Sequence, residues 1–222
     1  MEASEARTRV KICGLTDPGD ACAAVSAGAD ALGFVFAAGS PRQVSVASVA
    51  SMAQSLPPFV ARVGLFVDAA ADVARGILLE SGLDTVQFHG AESPDYCGAF
   101  RGRFRVIKAL RVRGAETLGL VAGYRGSVDA ILLDAWVPGV HGGTGARFDW
   151  DLGARAHEFG IPLILAGGLD PANVARAIRQ VRPFAVDVSS GVERAPGRKD
   201  AGKMRRFLDA VAAERGSDVT AS

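Results

Sequence analysis

The chain is poor in the residues that build cross-linked or metal-centred folds. Of its 222 residues only three are cysteine and three are histidine. Cys13, Cys22 and Cys97 are odd in number, show no CxxC spacing and have no histidine pair nearby. That pattern argues against a disulfide framework and against a zinc site. An excess of one charge is also missing: 25 Lys and Arg stand against 24 Asp and Glu, a formal net charge of +1. No global field favours nucleic acid or an anionic membrane, so the expected partner is a small molecule. No apolar run approaches the roughly 18 residues of a membrane span, and the opening MEASEARTR has no apolar core of a signal peptide. A cytoplasmic protein is expected. Linkers and low-complexity segments are absent too, and 49% hydrophobic against 22% charged content can bury a full core. One α/β domain over 1–222 is expected, with 1–8 and 216–222 as frayed tails.

What is present is one pattern repeated eight times. Apolar or β-branched runs fall at Arg9 to Cys13, Ala31 to Phe36, Ala61 to Val67, Thr85 to Phe88, Arg105 to Leu110, Ala130 to Leu133, Pro162 to Ala166 and Phe184 to Val188. Segments of helical spacing separate them. Asp17-Pro18, Ser45, Asp68, Ser93, Asp149 and Asp170-Pro171 read as helix starts, and Gly28, Gly82, Gly102 and Gly160 as helix stops. Alternating βα units imply a parallel sheet with right-handed crossovers, and eight of them fit a closed (β/α)8 TIM barrel. A doubly wound open sheet is weaker, because no GxGxxG follows the first strand.

In such a barrel the chemistry gathers where strands end and βα loops begin. Cys13 ends the first strand in VKICGLT, and Asp134 follows the sixth in AILLDAW. A thiol and a carboxyl group so placed suggest a proton-transfer pair. After the seventh strand comes LAGGLDPANV, with Gly167 and Gly168, and after the eighth VDVSSGVE, with Asp187, Ser190 and Gly191. Two small, flexible turns feeding helix N-termini in the last two units read as a phosphate site.

These stretches, together with ALGFVF and SPRQV, VGLFV, VQFHG, LLDAWVPGVHGGTGARFDW and PGRKD, run from Val10 to Asp200 in one order that resembles the phosphoribosylanthranilate isomerase family of tryptophan biosynthesis. The resemblance implies a (β/α)8 barrel with no cofactor and no metal. It implies an Amadori rearrangement of N-(5-phosphoribosyl)anthranilate to the 1-deoxyribulose 5-phosphate. The family's general base falls on Cys13, its general acid on Asp134, and the arginine of its second βα loop on Arg42. Phe88 stands where a leucine is more usual, and Trp136 and His141 decorate the sixth loop.

The remaining candidates follow from placement. Arg42, stiffened by Pro41, offers a fork of donors matched to the anthranilate carboxylate. His89 ends the fourth strand and can line the pocket. The glycine-rich PGVHGGTGARFDW, containing Gly143, suits a lid. His141 and His157 are expected to be exposed, and Arg194, Arg198, Lys199, Lys203, Arg205 and Arg206 to form a solvated helix face. Alternation puts Lys11 on the face of Cys13, and strands one and eight are neighbours in a closed barrel. Lys11 and Asp187 are therefore expected to pair inside it, with Lys108 near them and the positive charge favouring a Cys13 thiolate. An epimerase or aldolase would need metal-binding histidines or a Schiff-base lysine at strand ends, and a non-catalytic sugar-phosphate-binding barrel could dispense with Cys13 or Asp134. A monomer or homodimer is expected.

Overall fold

The computed structural model describes residues 7–135 and 150–214. Eight strands form a closed parallel barrel in sequence order: β1 Arg9–Cys13, β2 Ala31–Val35, β3 Ala61–Phe66, β4 Thr85–Phe88, β5 Arg105–Val112, β6 Ala130–Ala135, β7 Leu163–Leu165 and β8 Ala185–Val188. The outer helices are α1 Pro18–Ala27, α2 Val46–Ser55, α3 Ala71–Glu80, α4 Pro94–Gly98, α5 Ala115–Val121, α6 Trp150–Arg155, α7 Val174–Val181 and α8 Ala201–Ala213. Closure excludes the open-sheet alternative, because β1 pairs with both β2 and β8. The strands β1 and β4 run as expected. β5 and β6 each continue two residues further than their apolar runs, while β7 is trimmed at both ends. Among the described residues no helix is long and apolar enough to cross a membrane.

Period-two alternation divides the apolar residues into two cores. Inside the barrel pack Val63, Ile107, Ala109, Ala130, Leu132, Ile164, Ala166 and Ala185. The opposite strand faces meet the helices in a larger shell that holds Phe34, Phe66, Phe88, Phe100 and Phe207. Phe88 is fully buried there, edge-on to Phe100 and Tyr96 with centroids 4.9 and 5.1 Å away. Truncating such a ring to alanine typically costs about 3–5 kcal/mol.

The helix starts at Asp17, Ser45 and Ser93 are side-chain caps, each accepting backbone N–H groups of the first turn. Asp68 is not one. Its backbone turns to φ +49°, its carboxylate accepts the Ala91 N–H at 2.6 Å, and α3 begins after Ala70 with no side-chain cap. The carboxylate is drawn away by the neighbouring βα loop. Asp149 lies outside the described residues. Asp170 Oδ1 takes the N–H groups of Ala172 and Asn173, closing the turn that leads into α7. Residues 7 and 8, expected to be frayed, are tied down: Arg7 pairs with Asp30, and Thr8 bonds the Pro183 carbonyl.

One element has no counterpart in the sequence reading. After β8, Ser190–Val192 form a single 3-10 turn, and the chain then makes a short antiparallel hairpin, β9 Glu193–Ala195 and β10 Arg198–Lys199. The hairpin lies against the start of the chain: Thr16 Oγ1 donates to Gly197 O at 2.6 Å, and Lys199 N–H donates to the Asp20 carboxylate at 2.8 Å.

Candidate active site

The C-terminal ends of the strands surround a cavity of about 650 Å³. The alternation that fills the barrel floor with small apolar residues brings Cys13, His89, Arg111, Asp134, Ala166 and Asp187 to its walls. Cys13 and Asp134 face the same space from β1 and β6, which are separated by β7 and β8 around the ring. Arg42, Gly167, Gly168 and Ser190 complete the rim from the loops.

Beneath Cys13 is a charged layer. Lys11 Nζ donates to Asp187 Oδ1 at 2.9 Å, with both side chains at most one-tenth exposed. The expected pairing of strands one and eight therefore exists, in register Lys11 to Asp187. Burial disfavours the ammonium form of Lys11, but Asp187 and Cys13 outweigh it and hold its pKa above the ordinary lysine range. For Cys13 the balance runs the other way: burial pushes the thiol up, against the lowering influence of Lys11 and Lys199. The nearby positive charge does favour the thiolate, as expected, but desolvation of the anion is the larger effect.

The third member expected in this layer, Lys108, is elsewhere. Ile107 and Ala109 take the inward positions of β5, so Lys108 points to the helix side, where it donates to Gly90 O and Glu92 Oε2, both at 2.7 Å. Glu92 also accepts the N–H groups of Asp68 and Gly90, so this buried pair sets the loop that follows β4. His89 begins that loop. Its Nε2 lies 3.4 Å from Asp134 Oδ2 and makes no hydrogen bond among the described residues. The imidazole and the carboxylate are close enough to share a bridging water without bonding directly.

Arg42 faces the cavity, but its fork is engaged. Nε and Nη2 donate to Glu193 Oε1 and Oε2, each at 2.7 Å. Glu193 also accepts from Lys199 Nζ at 2.8 Å, and Lys203 Nζ reaches its carbonyl at 2.8 Å. Burial disfavours the Glu193 carboxylate, yet the bonds from Arg42 and Lys199 hold its pKa below the ordinary range. Lys199 is expected on a solvated helix face. It is instead fully buried on β10, because a carboxylate and the Ser189 carbonyl satisfy its ammonium.

At the rim, Gly167 and Gly168 adopt φ +85° and +64°, which glycine alone enters without strain. Asn173 Nδ2 donates to Gly168 O at 2.8 Å and fixes the turn. Among the described residues no backbone or side-chain group accepts the N–H of Gly167, Gly168 or Ser190. Gly191 is not on the cavity wall. A Cβ there would run into the Leu169 carbonyl, so its bare backbone lets the last two loops press together. Gly143 and His141 lie outside the described residues. His157 is exposed as expected, with Nε2 2.7 Å from Val181 O.

Four participants escaped the sequence reading. Gly33 faces inward opposite Cys13, and a Cβ there would lie 2.8 Å from Cys13 Sγ and 3.1 Å from Lys11 Nζ. A glycine inside a β-branched run is the signal that marks such close approach. Gln87 is buried on the cavity wall with Oε1 unpartnered among the described residues. Arg111 lies in register with Asp134 on the same wall. Glu193 has no local signal at all.

Known proteins resemble this chain in sequence and fold. The family model of N-(5'phosphoribosyl)anthranilate (PRA) isomerase matches residues 10–210. An N-(5'-phosphoribosyl)anthranilate isomerase from Citrifermentans bemidjiense is 56% identical over 201 residues, covering 90% of this chain and 95% of the relative. The crystal structure of phosphoribosyl anthranilate isomerase from Thermotoga maritima superposes with a TM-score of 0.88 at 42% identity, over 93% of this chain and 99% of that one. A structure of the enzyme in complex with reduced 1-(o-carboxyphenylamino)-1-deoxyribulose 5-phosphate gives a TM-score of 0.84 at 40% identity, over 93% and 99% of the two chains. With barrel and sequence agreeing over nine-tenths of its length, the chain belongs to the N-(5'-phosphoribosyl)anthranilate isomerase family.

Proposed function

We propose that this isomerase converts N-(5-phosphoribosyl)anthranilate into 1-(2-carboxyphenylamino)-1-deoxyribulose 5-phosphate, with Asp134 as general acid and Cys13 as general base. The observation that carries the assignment is that the two groups face one cavity from nearly opposite strands, so that a sugar between them meets an acid on one side and a base on the other.

Asp134 donates a proton to the ribose ring oxygen as the bond from that oxygen to C1 breaks, and the anthranilate nitrogen supplies the electron pair that forms the Schiff base. Its cationic nitrogen acidifies the hydrogen on C2. The Cys13 thiolate removes that proton, the C–H electron pair becomes the C1–C2 double bond, and the nitrogen regains its own pair. The resulting enolamine tautomerises to the ketone. Burial makes the Cys13 thiolate scarce at neutral pH, but a thiol of high pKa is a stronger base once ionised. In this reading Gln87 Oε1 accepts a sugar hydroxyl and the N–H groups of Gly167, Gly168 and Ser190 receive the phosphate, supported by the lack of partners for these groups among the described residues. Arg42 is the group we assign to the anthranilate carboxylate.

Loss of substrate fluorescence on mixing with the protein, without added metal, tests the activity. Cys13→Ala and Asp134→Asn should each lower kcat by about 10²–10⁴ while substrate still binds. Near-normal turnover by either variant overturns its role.

A further inference from the structure

The assignment of Arg42 leaves a question of geometry. Arginine has a long, rotamer-rich side chain, and an arginine at a cavity rim samples many directions unless something holds it. Here two things do. Its stem lies across Gly14, where any Cβ would collide with Arg42 Cδ, and its Nε and Nη2 are locked by the two oxygens of Glu193 at 2.7 Å each. Glu193 is itself immobilised: its side chain is 5% exposed, and Lys199, with no exposure at all, bonds Oε1 at 2.8 Å.

We infer that Glu193 is a positioning residue of the isomerase, setting the direction in which Arg42 presents its remaining donors to the substrate carboxylate and thereby its preference for a carboxylated aromatic amine. This rests on the reading of Arg42 given above. The fork–fork contact uses one edge of the guanidinium, formed by Nε and one Nη2 hydrogen. The other edge, carrying Nη1 and the second Nη2 hydrogen, makes no bond among the described residues and is turned away from Glu193. A carboxylate in the cavity would meet that edge. Glu193 does not reach the cavity wall, so its influence passes through Arg42. The network around it is anchored on three separate elements, β9, β10 and α8, which gives the arginine a fixed support rather than a mobile neighbour.

Discrimination between phosphoribosylanthranilate and the analogue made with aniline, which lacks the carboxylate, is the readout that a purely structural role would not move. Glu193→Gln keeps the side-chain volume but turns a donor toward Arg42. It should raise KM for phosphoribosylanthranilate by roughly tenfold, change kcat by less than about threefold, and shrink the discrimination ratio. Glu193→Asp, which retains the charge, should restore part of the ratio. In the Arg42→Ala background Glu193→Gln should produce no further change in the ratio, because two residues acting through one contact are not additive. An additive effect, or an unchanged ratio in Glu193→Gln alone, overturns the inference. If Arg42→Ala itself leaves the ratio untouched, the carboxylate is read elsewhere and the assignment of Arg42 fails first. Should Glu193→Gln fold poorly, the ratio measured for Glu193→Asp decides: a value between wild type and Arg42→Ala supports the inference, and one equal to wild type overturns it.

Discussion

Lys11 and Asp187 form an ion pair of 2.9 Å inside the barrel, joining the first strand to the last directly below the cysteine that faces the substrate cavity. The pair does two things at once. It satisfies two charges that the barrel interior could not hold singly, and it places a cation under a thiol that burial keeps protonated.

Removing one partner strands the other. Lys11→Met should therefore destabilise the protein by about 3–5 kcal/mol, and adding Asp187→Asn should recover part of that loss, because no uncompensated charge remains. Urea unfolding of the two variants checks this. The sign of the pH dependence follows from the direction of the Lys11 shift. A raised folded pKa gives stability that is fully present below the ordinary lysine value of 10.5 and is lost only as pH rises beyond it toward the folded value. Wild type and Lys11→Met should thus differ by a constant amount through neutral pH. A gap that closes between pH 7 and 9 would contradict the pairing.

The raised Cys13 pKa makes a kinetic prediction. Because only the thiolate is alkylated, the rate of Cys13 modification by iodoacetamide should still be climbing at pH 9, the ordinary cysteine value, instead of levelling off below it. Cys22 is exposed and should react first, so the experiment is made in a Cys22→Ser background. Cys97, buried in the outer shell and pushed up to about 11, stays silent over this range. A midpoint below pH 8 for Cys13 would mean that Lys11 and Lys199 prevail over desolvation after all.

Glycine at position 191 separates the last two loops by nothing more than a backbone. Gly191→Ala forces its methyl against the Leu169 carbonyl and should push those loops apart. If they jointly hold the phosphate, the competitive inhibition constant of inorganic phosphate should rise by roughly tenfold, equivalent to about one lost contact to a charged group. Unchanged inhibition in a folded variant would detach the phosphate from this pair of loops.

For Arg42, loss of a charge-assisted contact of about 1.5–3 kcal/mol predicts a fall in kcat/KM of roughly tenfold to a hundredfold in Arg42→Ala. Arg42→Lys should regain little, since a point charge cannot reproduce the two bonds to Glu193 while addressing the substrate. Full activity in Arg42→Lys would show that charge alone suffices.

Much of the architecture was legible because barrel strands are short β-branched runs whose alternation also assigns inward and outward faces. Cys13, Asp134 and the Lys11–Asp187 pair follow from that rule plus closure of the ring. Lys108, expected near the Lys11–Asp187 pair, is out of phase with it, since its neighbours Ile107 and Ala109 occupy the inward positions of β5. Asp68 carried a cap signal but had a competing donor at Ala91. The hairpin around Gly197 lacks β-branched residues, and its charged sequence reads as solvated, so the burial of Lys199 stayed hidden. Glu193 and Arg42 meet across 151 residues, a distance over which no local pattern speaks.

The seam where β8 and its hairpin close on the beginning of the chain also governs when the enzyme can exist. Lys11 waits for a partner 176 residues away, Thr16 for one 181 away, and Arg42 for one 151 away. A nascent chain that has completed seven βα units carries the Cys13 thiol and most of the cavity wall but neither Asp187 nor Glu193. Entropic closure of so long a loop is slow to be repaid by native contacts, so the ring should shut late in folding. Catalytic competence therefore arrives with the final quarter of synthesis, and refolding followed by regain of activity should lag behind refolding followed by helix signal.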